Sequence, residues 1–215
     1  DVHEHAVAHF ARRQLIFEMG VEPRDGDGRR QRRAQQRHTG ALIRDVEFFA
    51  WLEANAHALS RFDAAPLERL VRVAAEIHMR HIATAGDPFE HGSARPLDFG
   101  HWAAHKLEAL SDHDVRHGEA VAIGMALDSR YSTEIGLLAP RALERICGLL
   151  ETLGFTLWHD ALGRLDADEK PAILAGLTDF QEHLGGELTV TLLRELGAGV
   201  EVTTIDPEKV IASLA

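Results

Sequence analysis

The sequence predicts a mainly α-helical domain that ends in a small β-hairpin and a last short helix. Apolar residues recur at helical spacing from Asp45 onward, and the segment EAVAIGMALDSRYSTEIGLL is apolar on most faces and rich in small residues. Near the carboxyl end, ELTVTLLREL and GVEVTTI are rich in Val and Thr. The 215 residues, 45% hydrophobic and 27% charged, have an ordinary globular composition.

Three helices are predicted before the central segment. The first begins at Asp45 in DVEFFAWLEANAHAL, whose Phe48, Phe49, Leu52 and Leu59 fall near one stripe. The second follows Asp63, with Pro66 in its first turn, and runs to about Thr84. The turn AGDPFEHGSARP then leads to a third helix that starts near Gly100.

The small-residue segment after SDHDVRHG is predicted to be a buried central helix and the axis of the core. A further helix opens at Pro140 and ends at Gly154, and a polar stretch runs from Asp166 to His183. The two Val- and Thr-rich runs, divided by Gly197 and Gly199, predict the hairpin, and the last helix starts at Pro207.

Charge and cysteine content exclude several classes of function. The net charge of -11 disfavours nucleic-acid binding. The single Cys147 excludes an internal disulfide framework and a multi-cysteine zinc site, so a metal would need histidine and carboxylate ligands. No run of 18 apolar residues occurs, and the amino end lacks a signal-peptide pattern. We therefore expect a cytoplasmic protein without a membrane partner.

The amino-terminal residues differ from the rest. RDGDGRRQRRAQQR, between Arg24 and Arg37, has six Arg and almost no apolar residue. Such a stretch cannot bury a face, which favours a solvated loop over a nucleic-acid patch. We predict a divergent, flexible segment over residues 1–40 and a helical domain over residues 41–215. His3, His5 and His9 could bind metal, but a frayed terminus accounts for them better.

Three histidines form the first candidate site. His101 and His105 are four residues apart and therefore lie on one helix face, and His117 opens the next helix. An antiparallel return would bring His117 beside His101. Two imidazoles from adjoining helices and a carboxylate make a three-ligand zinc site with an open position. The alternative is a chance pair that caps or decorates a helix, since the chain has 14 His.

The second candidate is the polar loop just before this pair. Glu90 and Arg95 could meet a phosphorylated or carboxylated substrate, because Arg binds such anions with a bidentate fork. A turn with hydrated charges is the alternative. No GxGxxG, Walker-type GK[ST], HExxH or GxSxG motif is present.

RPLDFGHWAAHKLEAL followed by RHGEAVAIGMALDSRYS resembles the carboxyl-terminal domain of the 3-dehydroquinate synthase family, the sugar phosphate cyclases. Asp87, Glu90 and Gly92 fit the DxxExG element of the same family. The resemblance implies a helical metal-binding domain that normally sits below an amino-terminal NAD-binding α/β domain. The sequence contains no dinucleotide-binding segment.

The resemblance also implies a mechanism. A divalent metal, usually Zn²⁺ or Co²⁺, would be held by His101 and His117, while His105 would be an outer or proton-handling histidine. Glu90 would support the substrate or a metal-bound water, and Asp98 stands where quinate-forming members carry Asn. In the family, NAD oxidises a ring hydroxyl of a phosphorylated sugar, phosphate is eliminated, and an intramolecular aldol addition closes a carbocycle after the hydride returns.

The chain departs from the family pattern at several positions. Counting back from ALIRD puts Gln36 where the third metal ligand, a Glu, is expected, and Thr39 where a Lys is expected. Arg80 replaces a substrate Lys, and DFQEHLGG replaces a DKK element. These changes predict a changed substrate. A shifted reading frame or a misassigned start would account for the Arg-rich text, which is unlike a core helix.

The resemblance favours the metal-binding domain of an NAD-dependent sugar phosphate cyclase that assembles as a homodimer. Either a separate NAD-binding chain completes the enzyme, or the sequence is a carboxyl-terminal fragment that is inactive alone. One alternative is a non-catalytic helical scaffold with relic histidines. Another is a stand-alone zinc metallohydrolase, in which His101, His105 and His117 bind the metal and Glu90 or Glu119 is the general base. The position of His105 relative to the other two rings distinguishes this last alternative.

Overall fold

The computed structural model describes residues 45–84 and 98–214, with the side chains of residues 77–84 excepted. Within that part of the chain the α-helices are Val46–Ser60 (α1), Ala64–Thr84 (α2), His101–Leu110 (α3), His117–Glu134 (α4), Pro140–Thr152 (α5), Ala175–Leu184 (α6) and Pro207–Ala212 (α7). The strands are Val190–Glu195 (β1) and Ala198–Val202 (β2). The predicted mainly helical fold with a carboxyl-terminal hairpin is thus confirmed.

Helix α4 is the axis of the core, as predicted. Nearly all residues between Gly118 and Ser132 are buried, and α3, α5, β1 and α7 all pack against this helix. Small residues along α4 permit this, because an all-round apolar helix with little side-chain bulk lets several neighbours approach. The contact between α3 and α4 is the most extensive of these.

Helices α1 and α5 close one side of the core. The predicted stripe of α1 is buried: Phe48, Phe49, Leu52 and Leu59 are all at most 5% exposed. The carboxylate of Asp45 caps α1 by accepting the backbone N–H of Phe48 at 2.8 Å. An ion pair between Arg145 and Glu53, with Nε to Oε1 at 2.9 Å, joins α5 to α1.

The carboxyl-terminal hairpin packs one face on α4. Strands β1 and β2 are antiparallel, with Val190 opposite Val202 and Leu192 opposite Val200. Gly197 lies in the turn at φ +81°, as its predicted place requires, whereas Gly199 lies in β2 opposite Leu193. Burial of Val190, Leu192 and Leu193 attaches the hairpin to the core.

The stretch from Asp166 to His183 is more structured than the sequence suggests. It contains a 3₁₀ turn over Ala172–Leu174 that leads directly into α6. The predicted segment over residues 1–40, with His3, His5 and His9, lies outside the described residues. Among the helices that are described, none is long and apolar enough to cross a membrane.

Candidate metal centre

Two glycines bring the start of α3 against the backbone of α4. Gly100 precedes α3 at φ +80°, and a Cβ on it would lie 2.6 Å from the Met125 backbone nitrogen. A Cβ on Gly124 would lie 2.0 Å from the Gly100 carbonyl oxygen. No side chain fits between the two helices here. The first residue of α3, His101, is thereby held close to α4.

The structure brings the three predicted histidines together. The ring centroids of His101 and His105 are 5.7 Å apart, those of His101 and His117 are 5.7 Å apart, and those of His105 and His117 are 5.6 Å apart. The spacing on α3 and the antiparallel return of α4 produce this arrangement as the sequence predicts. The three rings form a nearly equilateral triangle at the α3–α4 junction.

His101 has the environment of a metal ligand. Its side chain is buried, its Nδ1 lies 3.2 Å from the Phe99 carbonyl oxygen, and its buried Nε2 has no hydrogen-bond partner within the described structure. Burial first, and then the nearby His117 and His105, lower the pKa of His101 well below its ordinary value. A buried neutral imidazole with one unsatisfied nitrogen fits a divalent cation, because a metal needs the deprotonated ring.

Glu108 orients His117. The Nδ1 of His117 lies 2.8 Å from Oε2 of Glu108, which is buried at the end of α3. A carboxylate on one ring nitrogen leaves the other nitrogen, Nε2, for a ligand, which is the usual arrangement around metal-binding histidines. Sequence reasoning gave Glu108 no role. Its position three residues after His105 and seven after His101, on the same helix face, was the available signal.

A second group of possible metal ligands shares His105 and His117 with the histidine triangle described above. One donor atom each from His105, Glu108 and His117 lie within 4.8 Å of one another. His105 is exposed, so its ring is accessible from solvent, in contrast to the buried His101. The residues present therefore offer enough nitrogen and oxygen donors for a divalent cation of the zinc or cobalt type.

Asp128 connects α4 to both neighbours of His101. Its Oδ2 accepts the Gly100 backbone N–H at 2.8 Å, and its Oδ1 accepts the Trp102 indole Nε1–H at 2.7 Å. Burial raises the pKa of Asp128 to about 7, against the opposing effect of these two hydrogen bonds. No local pattern in the sequence marks Asp128, since its partners are 26 and 28 residues away.

Helix α6 contributes a fourth histidine at the edge of the cluster. Gly176 lets α6 approach α3, because a Cβ there would lie 2.7 Å from the Lys106 Cβ. Lys106 also pairs with Asp179 at 2.9 Å. The exposed ring of His183, in the last turn of α6, is 6.3 Å from the ring of His105. His183 belongs to the DFQEHLGG element, which the sequence analysis noted only as a departure.

The remaining candidates are placed as follows. Asp98 is buried and lies just before the turn into α3. Glu119 accepts the Arg116 backbone N–H at 3.3 Å at the start of α4. This capping contact explains a glutamate at this position without a catalytic role. His113 is exposed, as its place in the SDHD loop suggests. Outside the described residues or side chains lie Gln36, Thr39, Arg80, Asp87, Glu90 and Arg95.

Comparison with known proteins identifies relatives of this chain. Residues 39–176 match the family model "3-dehydroquinate synthase C-terminal". The chain is 32% identical over 175 residues to 2-epi-valiolone synthase of Actinosynnema mirum, covering 81% of this chain and 45% of that protein. It is 34% identical over 174 residues to 3-dehydroquinate synthase of Halorhodospira halophila, covering 80% and 47%.

Solved structures agree with this relationship. The 2-epi-5-epi-valiolone synthase of Streptomyces hygroscopicus subsp. jinggangensis, with NAD⁺ and Zn²⁺ bound, superposes with a TM-score of 0.74 at 25% identity, covering 96% of this chain and 51% of that one. A 2-deoxy-scyllo-inosose synthase shares the fold with a TM-score of 0.52 at 15% identity, over 93% of this chain and 44% of that one. The chain spans about half the length of the curated relatives it matches. It belongs to the 3-dehydroquinate synthase family of sugar phosphate cyclases and carries that family's carboxyl-terminal domain.

Proposed function

We propose that this chain is the metal-binding part of an NAD-dependent sugar phosphate cyclase, a phosphate-eliminating lyase that acts on a phosphorylated sugar. The observation that carries the proposal is the buried, unpartnered Nε2 of His101 in a cluster with His117 and His105. Two relatives support the cofactors: one solved structure contains NAD⁺ and Zn²⁺, and a 2-deoxy-scyllo-inosose synthase contains carbaglucose-6-phosphate, NAD⁺ and Co²⁺.

His101 and His117 would hold the cation, and Glu108 would keep the His117 ring in the tautomer that exposes Nε2. The bound cation supplies Lewis-acid polarisation of a substrate oxygen. His105 is the exposed ring next to both ligands, and we assign it the transfer of a proton to or from the substrate. Asp98, Glu90 and Arg95 are proposed substrate contacts, with Arg95 directed to an anionic group of the sugar.

Within residues 45–84 and 98–214 no dinucleotide-binding fold is present. We propose that NAD⁺ binds to a separate polypeptide region that meets this domain at the histidine cluster. Binding sites between two domains are common in enzymes, and the exposed rings of His105 and His183 mark the accessible side of the cluster. A homodimer and a cytoplasmic location complete the proposal.

The first test is elemental analysis of the purified chain after extensive dialysis, with zinc, cobalt and nickel measured together. We expect near-stoichiometric metal in the wild type and in H113A, whose histidine is exposed in the loop before α4. We expect H117A to lose the metal with little loss of fold. Full metal content in H117A would contradict the ligand assignment, and no metal in the wild type would favour the scaffold alternative.

Catalysis is tested by adding the NAD-binding half of the Actinosynnema mirum relative to the metal-loaded chain. Release of inorganic phosphate from a panel of phosphorylated sugars, dependent on both halves and on NAD⁺, supports the cyclase. Tight NAD⁺ binding by the mixture without phosphate release on any sugar would leave the lyase proposal unsupported. H105A in the same assay should keep its metal and lose turnover.

The nearly equal ring separations favour a second candidate, a zinc hydrolase with three histidine ligands. The two candidates differ in the expected metal content of H105A. Loss of metal in H105A places His105 in the ligand set and favours the hydrolase. Retention keeps His105 as a proton-handling residue and favours the cyclase.

A further inference from the structure

Asp128 is the buried side chain that links α4 to the residues on both sides of His101. It is 1% exposed, and its two oxygens accept hydrogen bonds from Gly100 and Trp102. We propose that Asp128 is a positioning residue that fixes His101 so that its Nε2 is available to a divalent cation. The proposal rests on the proposed function and assigns a role to a residue that contacts neither cation nor substrate.

The hydrogen bonds restrain His101 from three directions. Asp128 holds the backbone before His101 through Gly100 N–H and the side chain after it through the Trp102 indole. The ring itself is restrained at Nδ1 by the Phe99 carbonyl oxygen at 3.2 Å. With backbone and ring both fixed, Nε2 is the remaining free nitrogen. A pre-oriented ligand loses less conformational entropy on binding.

A carboxylate is chemically suited to this position. The two donors approach different oxygens, at 2.8 and 2.7 Å, and neither donor has an acceptor function. An Asn at the same place would direct its amide NH₂ at one of the donors, so one hydrogen bond would become a repulsive contact. The close approach of Gly100 to the backbone of Gly124 and Met125 holds the Gly100 N–H against α4, where Asp128 accepts its hydrogen bond.

A purely structural carboxylate would also destabilise the fold when replaced, so the test must separate stability from ligand geometry. Ser129 provides a matched control, because it is the next residue of α4, is fully buried, and donates its hydroxyl to the Met125 carbonyl oxygen within the same helix. S129A perturbs the buried face of α4 through a hydrogen bond that stays within that helix. W102F removes one donor and leaves the carboxylate intact.

The experiment compares wild type, D128N, W102F, D128N/W102F and S129A, each as the full chain. Co²⁺ and Zn²⁺ affinities are measured by competition with a chromophoric chelator, and the visible spectrum of the Co²⁺-loaded chain reports ligand geometry. We expect D128N to weaken binding by about tenfold to 100-fold and to alter the spectrum, as loss of outer partners of metal ligands does. We expect S129A to stay within about twofold of wild type, and the double variant to lose no more than D128N, because the indole acts through Asp128.

Affinity within about twofold of wild type in a folded D128N would overturn the inference, as would an equal loss in S129A. Should D128N fail to fold, W102F decides, and wild-type affinity in W102F is then the contrary result. If the wild type binds neither metal, the proposed function fails. The positioning role is then tested separately, by comparing the ¹⁵N NMR signals of the His101 ring in metal-free wild type, D128N and S129A. A shift in D128N and none in S129A supports the role, and unchanged signals in D128N refute it.

Discussion

Gly124 is the position at which the fold is least tolerant of added volume. A Cβ there would lie 2.0 Å from the Gly100 carbonyl oxygen, which already accepts the Ala104 N–H at 3.1 Å. The Gly100 oxygen belongs to well-packed backbone, so G124A must separate the start of α3 from α4 by about 1.4 Å to raise the 2.0 Å distance to the 3.4 Å of an ordinary contact. Such overpacking costs about 1 to 3 kcal/mol, and the gain in helix propensity from Gly to Ala is about 1 kcal/mol.

The clash is with backbone, so the upper end of this cost applies, and we expect G124A to lower the free energy of unfolding by about 2 kcal/mol after the propensity gain is subtracted. It should also weaken metal binding, since His101 moves with α3. G148A is the matched control in the middle of α5, where a Cβ would meet nothing within 4 Å. It should gain about 0.5 to 1 kcal/mol from helix propensity alone. Urea denaturation of the metal-free chain measures both. Equal stability of G124A and G148A would refute the reasoning from the α3–α4 contact.

Three further predictions concern the histidine cluster. E108Q should weaken Zn²⁺ binding by about tenfold, because the His117 ring loses its carboxylate partner at 2.8 Å. Competition with a chelator measures the affinity, and an unchanged affinity would show that Glu108 does not support metal binding. H183A should leave the metal content unchanged, since its ring is 6.3 Å from that of His105; loss of metal on elemental analysis would make it a ligand. In the metal-free chain, wild type should lose roughly 2 to 3 kcal/mol more stability than D128N between about pH 5 and about pH 8, because burial raises the pKa of Asp128 to about 7 and the folded state then favours the protonated form. Parallel pH profiles of urea denaturation for the two proteins would contradict this.

The elements that the sequence predicts well are those with a strong local pattern. The stripe of α1, the Pro140 start of α5 and the Val- and Thr-rich hairpin all follow from local patterns, each within one short segment. Helix α6 was missed because its sequence is polar and follows Pro171 closely. It is stabilised by contacts that are distant in sequence: Gly176 against α3 and Asp179 with Lys106, 73 residues away.

The same distinction holds for the candidate site. His101, His105 and His117 could be grouped from the sequence because helical spacing and one short turn place them. The pairing of Asp128 with Trp102 depends on how two helices cross, which no local pattern encodes. The contact between Glu108 and His117 is intermediate in predictability. The two residues are nine positions apart in the sequence and are separated by the turn between α3 and α4.

The buried side chains of His101, at the start of α3, and Asp128, on α4, respond to pH in opposite directions. Because the pKa of His101 is lowered, the unfolded chain binds more protons below the ordinary histidine pKa, and stability falls as the solution is acidified. Because the pKa of Asp128 is raised, its contribution falls as the pH rises toward about 7. A cation on Nε2 competes with the proton on His101 and leaves Asp128 untouched, so metal loading should steepen the acidic side of the stability profile and preserve the alkaline side. A metal-dependent change confined to the acidic side would therefore identify the histidine ligands of the cluster, rather than the fold as a whole, as the groups that the cation engages.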